Sequence, residues 1–161
     1  MKYRGSRLGI LYGMRGAATI IHMLKTLNPT AITRIGMAIV FLWFGVDQLR
    51  HVESYVFFLP EWISVLPMSE AAFVKLNGWF EIVAGLLLVA GLQTRIIAAL
   101  LGLHLLGIAW SIGDAIGVRD FGLAVATLGI AIGAPDAWSL DARMAAKKTA
   151  VAAGDVTSEQ K

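Results

Sequence analysis

The sequence predicts an all-α integral membrane protein, an antiparallel four-helix bundle with short interfacial segments outside its spans. Composition is the first reason: 57% of the residues are hydrophobic and only 16% are charged, whereas soluble domains are about 45–50% apolar and about 25% charged. The second reason is that four apolar segments approach the roughly 20 residues that a helix needs to cross a bilayer. A chain of 161 residues therefore holds one small bundle.

The four spans are expected over residues 32–49, 73–92, 96–112 and 121–134. The fourth is short, so the polar residues at its ends are expected to lie at the membrane interface. Together the spans define a membrane domain over residues 31–135.

Three further segments lie outside the spans. Residues 1–30 mix apolar side chains with spaced Lys and Arg, which is typical of a helix on the membrane surface; a loosely ordered tail is the alternative. The connection 51–67 holds four aromatic residues and two prolines, which favours a short amphipathic segment resting on the outer end of the bundle. Residues 136–161 are polar, and we expect a frayed cytoplasmic tail there.

The distribution of lysine and arginine predicts the orientation. Eleven of the basic residues fall on the side of both termini, and three fall on the other side. We therefore expect a multi-pass protein of the inner cell membrane with both termini in the cytoplasm. The three residues on the outer side are Arg50, Lys75 and Arg119.

Some kinds of chemistry are excluded by composition. The chain has no cysteine, which rules out disulfides, a thiol redox pair and Cys-ligated metals or clusters. Its basic residues do not form a patch of the kind that binds nucleic acid. We expect no metal site and no nucleic-acid partner.

Antiparallel threading predicts that ionisable residues of separate spans share one level. Alternating directions bring the end of span one, the start of span two, the end of span three and the start of span four to the same depth. Asp47, Glu81, Asp114, Arg119 and Asp120 lie in these parts of the chain. The sequence therefore predicts a polar cavity near the outer side. For Asp114 and Asp120 we favour the alternative interpretation of a solvated turn.

Helical spacing predicts which faces line this cavity, because residues three, four and seven apart lie on one side of a helix. The faces expected to turn inward carry polar or small residues. On span one they are Gly36, Val40, Trp43 and Asp47, and on span three His104, Gly107, Ser111 and Asp114.

Glu81 is the central residue of the predicted cavity. It lies between Gly78 and Gly85 on a face that lets another helix approach closely. A charge at the centre of a span costs on the order of 2.5–3.5 kcal/mol, so we expect Arg119 or Arg50 to compensate Glu81, or its carboxyl to be protonated. The cluster is interpreted as a functional site, with a structural salt bridge between spans two and four as the alternative.

His104 and several tryptophans are the other candidates. No second histidine lies at the depth of His104, so a bis-histidine haem is not expected. His104 is interpreted either as a core histidine bonded to a neighbouring helix or as a contact for a ligand such as a quinone carbonyl. Trp43, Trp79 and Trp110 are candidates for a flat aromatic pocket, with packing or interfacial roles as the alternative.

The segment EIVAGLLLVAGLQTRIIAALLGLHLLGI, residues 81–108, resembles the second and third spans of DoxX-like membrane proteins. The first-span stretch FLWFGVDQL and the stretch RDFGL at Arg119 and Asp120 are similar too, so the resemblance covers about residues 31–135. It implies a four-helix bundle and, as for some family members, an association with quinone-linked respiratory or sulfur-oxidising complexes. Where many relatives carry a lysine after the first-span glycine, this sequence has Gln48.

Three functions are compatible with these features. The first, which the resemblance implies, is a membrane subunit of a quinone-coupled oxidoreductase, with quinone as its only expected cofactor. Asp47, Glu81, His104 and Arg119 would then bind the quinone head group or pass its protons. The second is an accessory or scaffold subunit whose small-residue faces on spans two and four pack against a membrane protein partner or a second copy. The third is a small-solute or proton pathway.

Overall fold

The computed structural model of the protein describes residues 28–133 and 135–158. The surface helix predicted over residues 1–30 lies almost entirely outside these ranges. Within them, six α-helices and one 3-10 helix follow one another with short turns. They are α1 (Pro29–Arg50), α2 (Val52–Val56), the 3-10 helix Glu61–Val65, α3 (Glu70–Ala90), α4 (Thr94–Ile112), α5 (Asp114–Ile132) and α6 (Leu140–Ser158).

Helices α1, α3, α4 and α5 are long and apolar enough to cross a membrane, which confirms the predicted all-α, four-span architecture. The main difference is that α5 begins at Asp114 rather than at residue 121. Gly113 alone forms the turn between α4 and α5; its φ of +63° lies in the left-handed region that glycine adopts without strain. Polar residues after this turn therefore belong to the first turns of a helix.

The bundle has two ends that differ in structure. The end that carries the connection 51–69 and Gly113 is called the loop end. The end that carries the Gly91–Gln93 turn and α6 (Leu140–Ser158) is called the tail end. Helices α1 and α4 run toward the loop end, and α3 and α5 run away from it.

The spans pack mainly as two antiparallel pairs, α1 with α3 and α4 with α5. In the first pair, an added Cβ at Gly45 would lie only 2.7 Å from the carbonyl oxygen of Gly78, so the backbones are in direct contact. Buried apolar side chains fill the space between the pairs. They include Met37, Phe41, Leu88, Leu101, Leu105 and Ile130.

This close approach can be tested with Gly45→Ala. The substitution is expected to lower the free energy of unfolding by about 1–3 kcal/mol, because the added methyl group forces α1 and α3 apart. Equilibrium unfolding in mixed detergent micelles measures the change. Gly36→Ala on the same helix is the matched control, since a Cβ there meets nothing within 4 Å and helix propensity favours alanine by up to about 1 kcal/mol. Equal stability of the two variants would contradict the observed packing.

The connection between α1 and α3 rests on the loop end, as the sequence predicts. Helix α2 packs against α3, and Ile63 of the 3-10 helix is only 1% exposed. Trp62 contacts Phe73 of α3 edge to face, with 6.5 Å between the ring centroids. The connection therefore covers part of the loop end with an apolar underside.

The chain beyond Pro135 differs from expectation, because most of the predicted frayed tail forms α6. Asp141, in the first turn of α6, accepts hydrogen bonds from the backbone N–H groups of Gln93 and Thr94, each at 2.8 Å. Its carboxylate thus satisfies free N–H groups at the start of α4, where a negative charge is favourable. This contact fixes the beginning of α6 to the bundle.

A buried ion pair closes the tail end. Arg34 is 1% exposed, and its guanidinium donates to both carboxylate oxygens of Asp136, at 2.7 and 3.2 Å. Its Nη1 donates to the carbonyl oxygens of Leu88 and Val89, at 2.5 and 2.6 Å. One arginine therefore ties α1 and the end of α3 to the segment that precedes α6.

Because of two carboxylates at the tail end, those of Asp136 and Asp141, we expect the protein to lose stability in acid. Burial raises the pKa of Asp136, but the hydrogen bond and charge of Arg34 outweigh it, so the pKa lies below its ordinary value of 3.8. Burial also raises the pKa of Asp141, and here the backbone N–H groups of Thr94 and Gln93 outweigh it and again lower the pKa.

The unfolded chain therefore takes up protons at a higher pH than the folded protein. Because both folded pKa values are depressed, their contribution to stability is present above the ordinary pKa and is lost as pH falls toward the folded values. We expect the unfolding temperature in detergent to decline below about pH 4, and to decline less steeply in Asp141→Asn. If the unfolding temperature falls equally with pH in the wild type and in Asp141→Asn, Asp141 does not contribute to the loss of stability in acid.

Candidate functional site

A cavity of about 770 Å³ lies at the loop end, next to the connection between α1 and α3. Its walls are mostly apolar and include Phe44, Phe58, Trp62, Leu103, Ile108 and Ile116. Its polar lining comes from all four spans and the connection. These residues include Asp47, Gln48, Tyr55, Asn77, Glu81, His104, Ser111, Arg119 and Asp120.

Glu81 is held within this polar lining by side-chain amides. It is 3% exposed, and it accepts hydrogen bonds from Gln48 Nε2 at 2.9 Å and from Asn77 Nδ2 at 3.1 Å. Asn77 also donates to Gln48 Oε1 at 2.7 Å. The three side chains form a closed hydrogen-bonded ring between α1 and α3, which lowers the cost of burying the carboxyl group.

His104 connects Glu81 to the cavity. Its Nε2 lies 3.3 Å from Glu81 Oε1, so either the imidazole N–H donates to a carboxylate or a protonated carboxyl donates to the imidazole. Phe80 packs edge to face against the imidazole, with centroids 5.3 Å apart. The His104 side chain is 23% exposed, against 4% for that of Glu81. A proton that reaches His104 from the cavity can therefore be shared with the buried carboxyl.

Arg119 pairs with its neighbour in sequence. Its Nε lies 2.8 Å from Asp120 Oδ1, and its guanidinium carbon lies 5.8 Å from the centre of the Phe44 ring, within cation–π range. Among the described residues there is no ion pair between Arg119 and Glu81, so the structure does not show the alternative of a structural salt bridge between spans two and four. Arg119 instead compensates Asp120, which is 5% exposed.

Asp47 links the connection to α1 by hydrogen bonds. The Tyr55 hydroxyl donates to Asp47 Oδ2 at 2.7 Å, and His51 Nδ1 lies 2.9 Å from Asp47 Oδ1. Burial, together with the hydrogen bond to Asp47, raises the pKa of Tyr55 well above its ordinary value of 10.0, so the hydroxyl keeps its proton and remains a donor. These contacts hold α2 beside the cavity.

Three predicted site residues, Trp43, Trp79 and Asp114, do not line the cavity. Trp43 and Trp79 are 70% and 58% exposed, so they lie on the outer surface of the bundle and the predicted aromatic pocket is wrong for both. Trp110 is 92% exposed and lines the cavity. Asp114 is exposed at the start of α5 with a φ of +52°, in keeping with a solvated turn, whereas Asp120 is buried.

The sequence pattern does not single out two residues of the site, Asn77 and Tyr55. Asn77 precedes Glu81 by four residues on one helix, a spacing at which side chains contact each other, and this signal could have revealed it. Tyr55 reaches Asp47 only because of the path of the connection, for which the sequence carries no comparable signal. Gln48 is noticed only as the residue in place of a lysine, and the structure shows that it donates to Glu81.

The site contains hydrogen-bonding and proton-accepting groups rather than a metal-binding set. Within residues 28–133 and 135–158, no group of three His, Cys, Asp or Glu residues could hold a metal ion.

Comparison with known proteins identifies one family. Residues 30–114 match the profile described as DoxX. This stretch includes Asp47, Glu81 and His104, whereas Arg119 and Asp136 lie beyond it. No curated protein and no solved structure matches the chain.

Proposed function

The chain belongs to the DoxX family, and from this premise we propose that it is a membrane subunit that binds the head group of a quinone for a partner oxidoreductase. The cavity is the observation that carries the proposal, because it combines apolar walls with a polar lining at one end of four spans. Its volume of about 770 Å³ is within the range of small-molecule sites, about 300–1,000 Å³.

The chemistry of the lining fits such a ligand. A quinone head group is a flat apolar ring with carbonyl acceptors on opposite sides, so it needs apolar walls and separated hydrogen-bond donors. His104 and Arg119 border the cavity on different helices and supply these donors. Phe44 and Phe58 offer aromatic surface for the ring.

The proposed role of the polar lining is to hold the head group and exchange protons with it. When a quinol is oxidised, it releases protons together with its electrons. His104 accepts a proton at the cavity and shares it with Glu81 through their 3.3 Å contact. We assign the electrons to a redox centre of the partner oxidoreductase, since this chain has no cysteine to ligate a cluster.

We also propose that the quinone enters the cavity from the membrane and that the cavity lies near the outer face of the inner membrane. Trp110 lines the cavity and is 92% exposed, which supports entry from the surrounding lipid. Eleven basic residues on the side of the termini against three on the other support a cytoplasmic tail end and a cavity near the outer face of the inner membrane.

Glu81→Gln tests the proposed site. We expect the variant to bind a short-chain ubiquinone analogue at least tenfold more weakly, about 1.4 kcal/mol, because the substitution alters the contact with Glu81 that orients the His104 ring, the proposed donor to the quinone carbonyl. The measurement is the rise in unfolding temperature of the purified full chain as the analogue is titrated, since a ligand at about 100 times its Kd adds about 2.7 kcal/mol of stability.

The control for this experiment is Glu70→Gln, which neutralises an exposed carboxylate on the same helix and should bind as the wild type does. Unaltered binding by Glu81→Gln would remove Glu81 from the site. No quinone-dependent shift in the wild-type protein would overturn the proposal itself.

A scaffold function also has one observation in its favour. Gly122 and Gly129 of α5 are exposed, an added Cβ at either would meet nothing within 4 Å, and small residues commonly mark helix contacts in membranes. The small residues of span two do not add to this surface, because Gly78 and Gly85 pack against α1. Copurification with a larger complex that is lost in Gly129→Leu and retained in Glu81→Gln would favour the scaffold.

A further inference from the structure

Helix α6 carries an apolar stripe that the bundle does not cover. Every residue in the range 143–152 is exposed. Leu140, Met144 and Val151 are 39%, 46% and 65% exposed, and helical geometry places them within about 40° of one another around the axis. No residue of the stripe is therefore buried against the bundle.

Cations flank this stripe on both sides. Helical geometry places Arg143 and Lys147 along one edge and Lys148 along the other. The acid in the first turn, Asp141, is already engaged by the backbone N–H groups at the start of α4. Thr149 lies on the opposite face and carries no charge.

The first turn of α6 lies where the spans end. The Asp141 N–H donates to the carbonyl oxygen of Gly91 at 3.0 Å, in the turn between α3 and α4. Trp138, two residues before α6, is 50% exposed, and tryptophan prefers the boundary between hydrocarbon and headgroups. Helix α6 therefore starts at the level of the membrane interface.

We infer that α6 lies on the membrane surface at the tail end, with Leu140, Met144 and Val151 in the acyl boundary and its cations on the phosphates of anionic lipids. Long Lys and Arg side chains can bury their stems in this boundary while their charges reach the headgroups. Each such cation adds attraction to an anionic leaflet. Three apolar side chains cover far less than the roughly 800 Å² per partner of a standard protein interface, which argues against a protein as the occupant.

Single-cysteine labelling tests this inference directly, because the chain has no cysteine of its own. An environment-sensitive fluorophore is attached to Val151→Cys or, as the matched control, to Thr149→Cys, in the full chain reconstituted in vesicles. With phosphatidylglycerol in the vesicles, we expect the label at 151 to be shielded from an aqueous quencher and the label at 149 to remain accessible. Adding Lys147→Gln and Lys148→Gln, or using phosphatidylcholine alone, should reduce the shielding at 151 at least twofold.

Three outcomes would overturn the inference. The first is equal quenching of the two labels in anionic vesicles. The second is shielding at 151 that is unchanged in phosphatidylcholine alone, which would mean that anionic lipid is not the partner. The third is shielding that disappears when the protein is diluted into excess lipid, which would identify a second copy of the chain as the occupant. The quinone proposal is unaffected in each case, because no residue of α6 lines the cavity.

Discussion

Replacing Arg34 with methionine is expected to lower the free energy of unfolding by about 3–5 kcal/mol. The substitution leaves the Asp136 carboxylate buried without its cation, and it removes the donor that serves the Leu88 and Val89 carbonyl oxygens. An uncompensated charge in a buried site is more destabilising than the loss of packing alone. Equilibrium unfolding in mixed detergent micelles measures the effect.

Two further variants test whether the effect is specific to the buried ion pair or would follow from the loss of any arginine. Arg95 is exposed and makes one hydrogen bond, to the Gly133 carbonyl oxygen at 3.2 Å, so Arg95→Met should cost less than about 1 kcal/mol. Combining Arg34→Met with Asp136→Leu removes both charges and should recover part of the lost stability. If Arg34→Met is as mild as Arg95→Met, the tail end is not closed by this ion pair.

Gly107→Leu is expected to weaken quinone binding at least tenfold, about 1.4 kcal/mol, without loss of stability. Gly107 lines the cavity, and a Cβ at this position meets nothing within 4 Å, so a leucine side chain can start there without a backbone shift and is expected to occupy space that the ligand needs. Titration of the full chain with a short-chain ubiquinone analogue, followed by tryptophan fluorescence, measures the affinity.

The matched control is Gly129→Leu. Gly129 is also helical and exposed, and an added Cβ there is equally unhindered, but it does not line the cavity. This variant should bind the analogue as the wild type does. Wild-type affinity in Gly107→Leu would mean that the ligand does not enter through this part of the cavity.

The spans could be predicted because apolar length is a local property of the sequence, and each predicted span overlaps an observed one. The placement of α6 could not be predicted in the same way, because contacts distant in sequence fix its first turn and the segment before it. Asp136 reaches Arg34, and Asp141 reaches the start of α4. A polar composition alone gives no sign of either contact.

The depth of the site was predictable, and so was the rotation of span three, since His104, Gly107 and Ser111 line the cavity; the rotation of span one was not. Antiparallel threading correctly suggested that polar residues of separate helices meet at one end. The face chosen for span one contained Gly36, Val40, Trp43 and Asp47, whereas the buried face contains Met37, Phe41 and Gln48. The two faces differ by one residue, about 100° around the axis, and this rotation explains why Trp43 points outward and Gln48 contacts Glu81.

Charge pairing also depends on geometry that spacing cannot supply. Arg119 and Glu81 lie on different spans within the same polar lining, yet Arg119 pairs with the adjacent Asp120. Neutral amides from two helices hold Glu81 instead. The sequence predicts which charged residues lie at the same depth in the membrane. Which of them pair depends on the distances between their side chains in the folded protein.

Photo-crosslinking tests the central claim most directly, that the cavity at the loop end is a quinone site. The full chain in vesicles is irradiated with an azido-quinone, and the modified residues are identified by mass spectrometry. We expect adducts on cavity residues such as Phe44 and Ile108, suppressed by excess unlabelled quinone and by Gly107→Leu. Adducts spread over outward-facing residues such as Trp43 and Trp79, and insensitive to competitor, would contradict it.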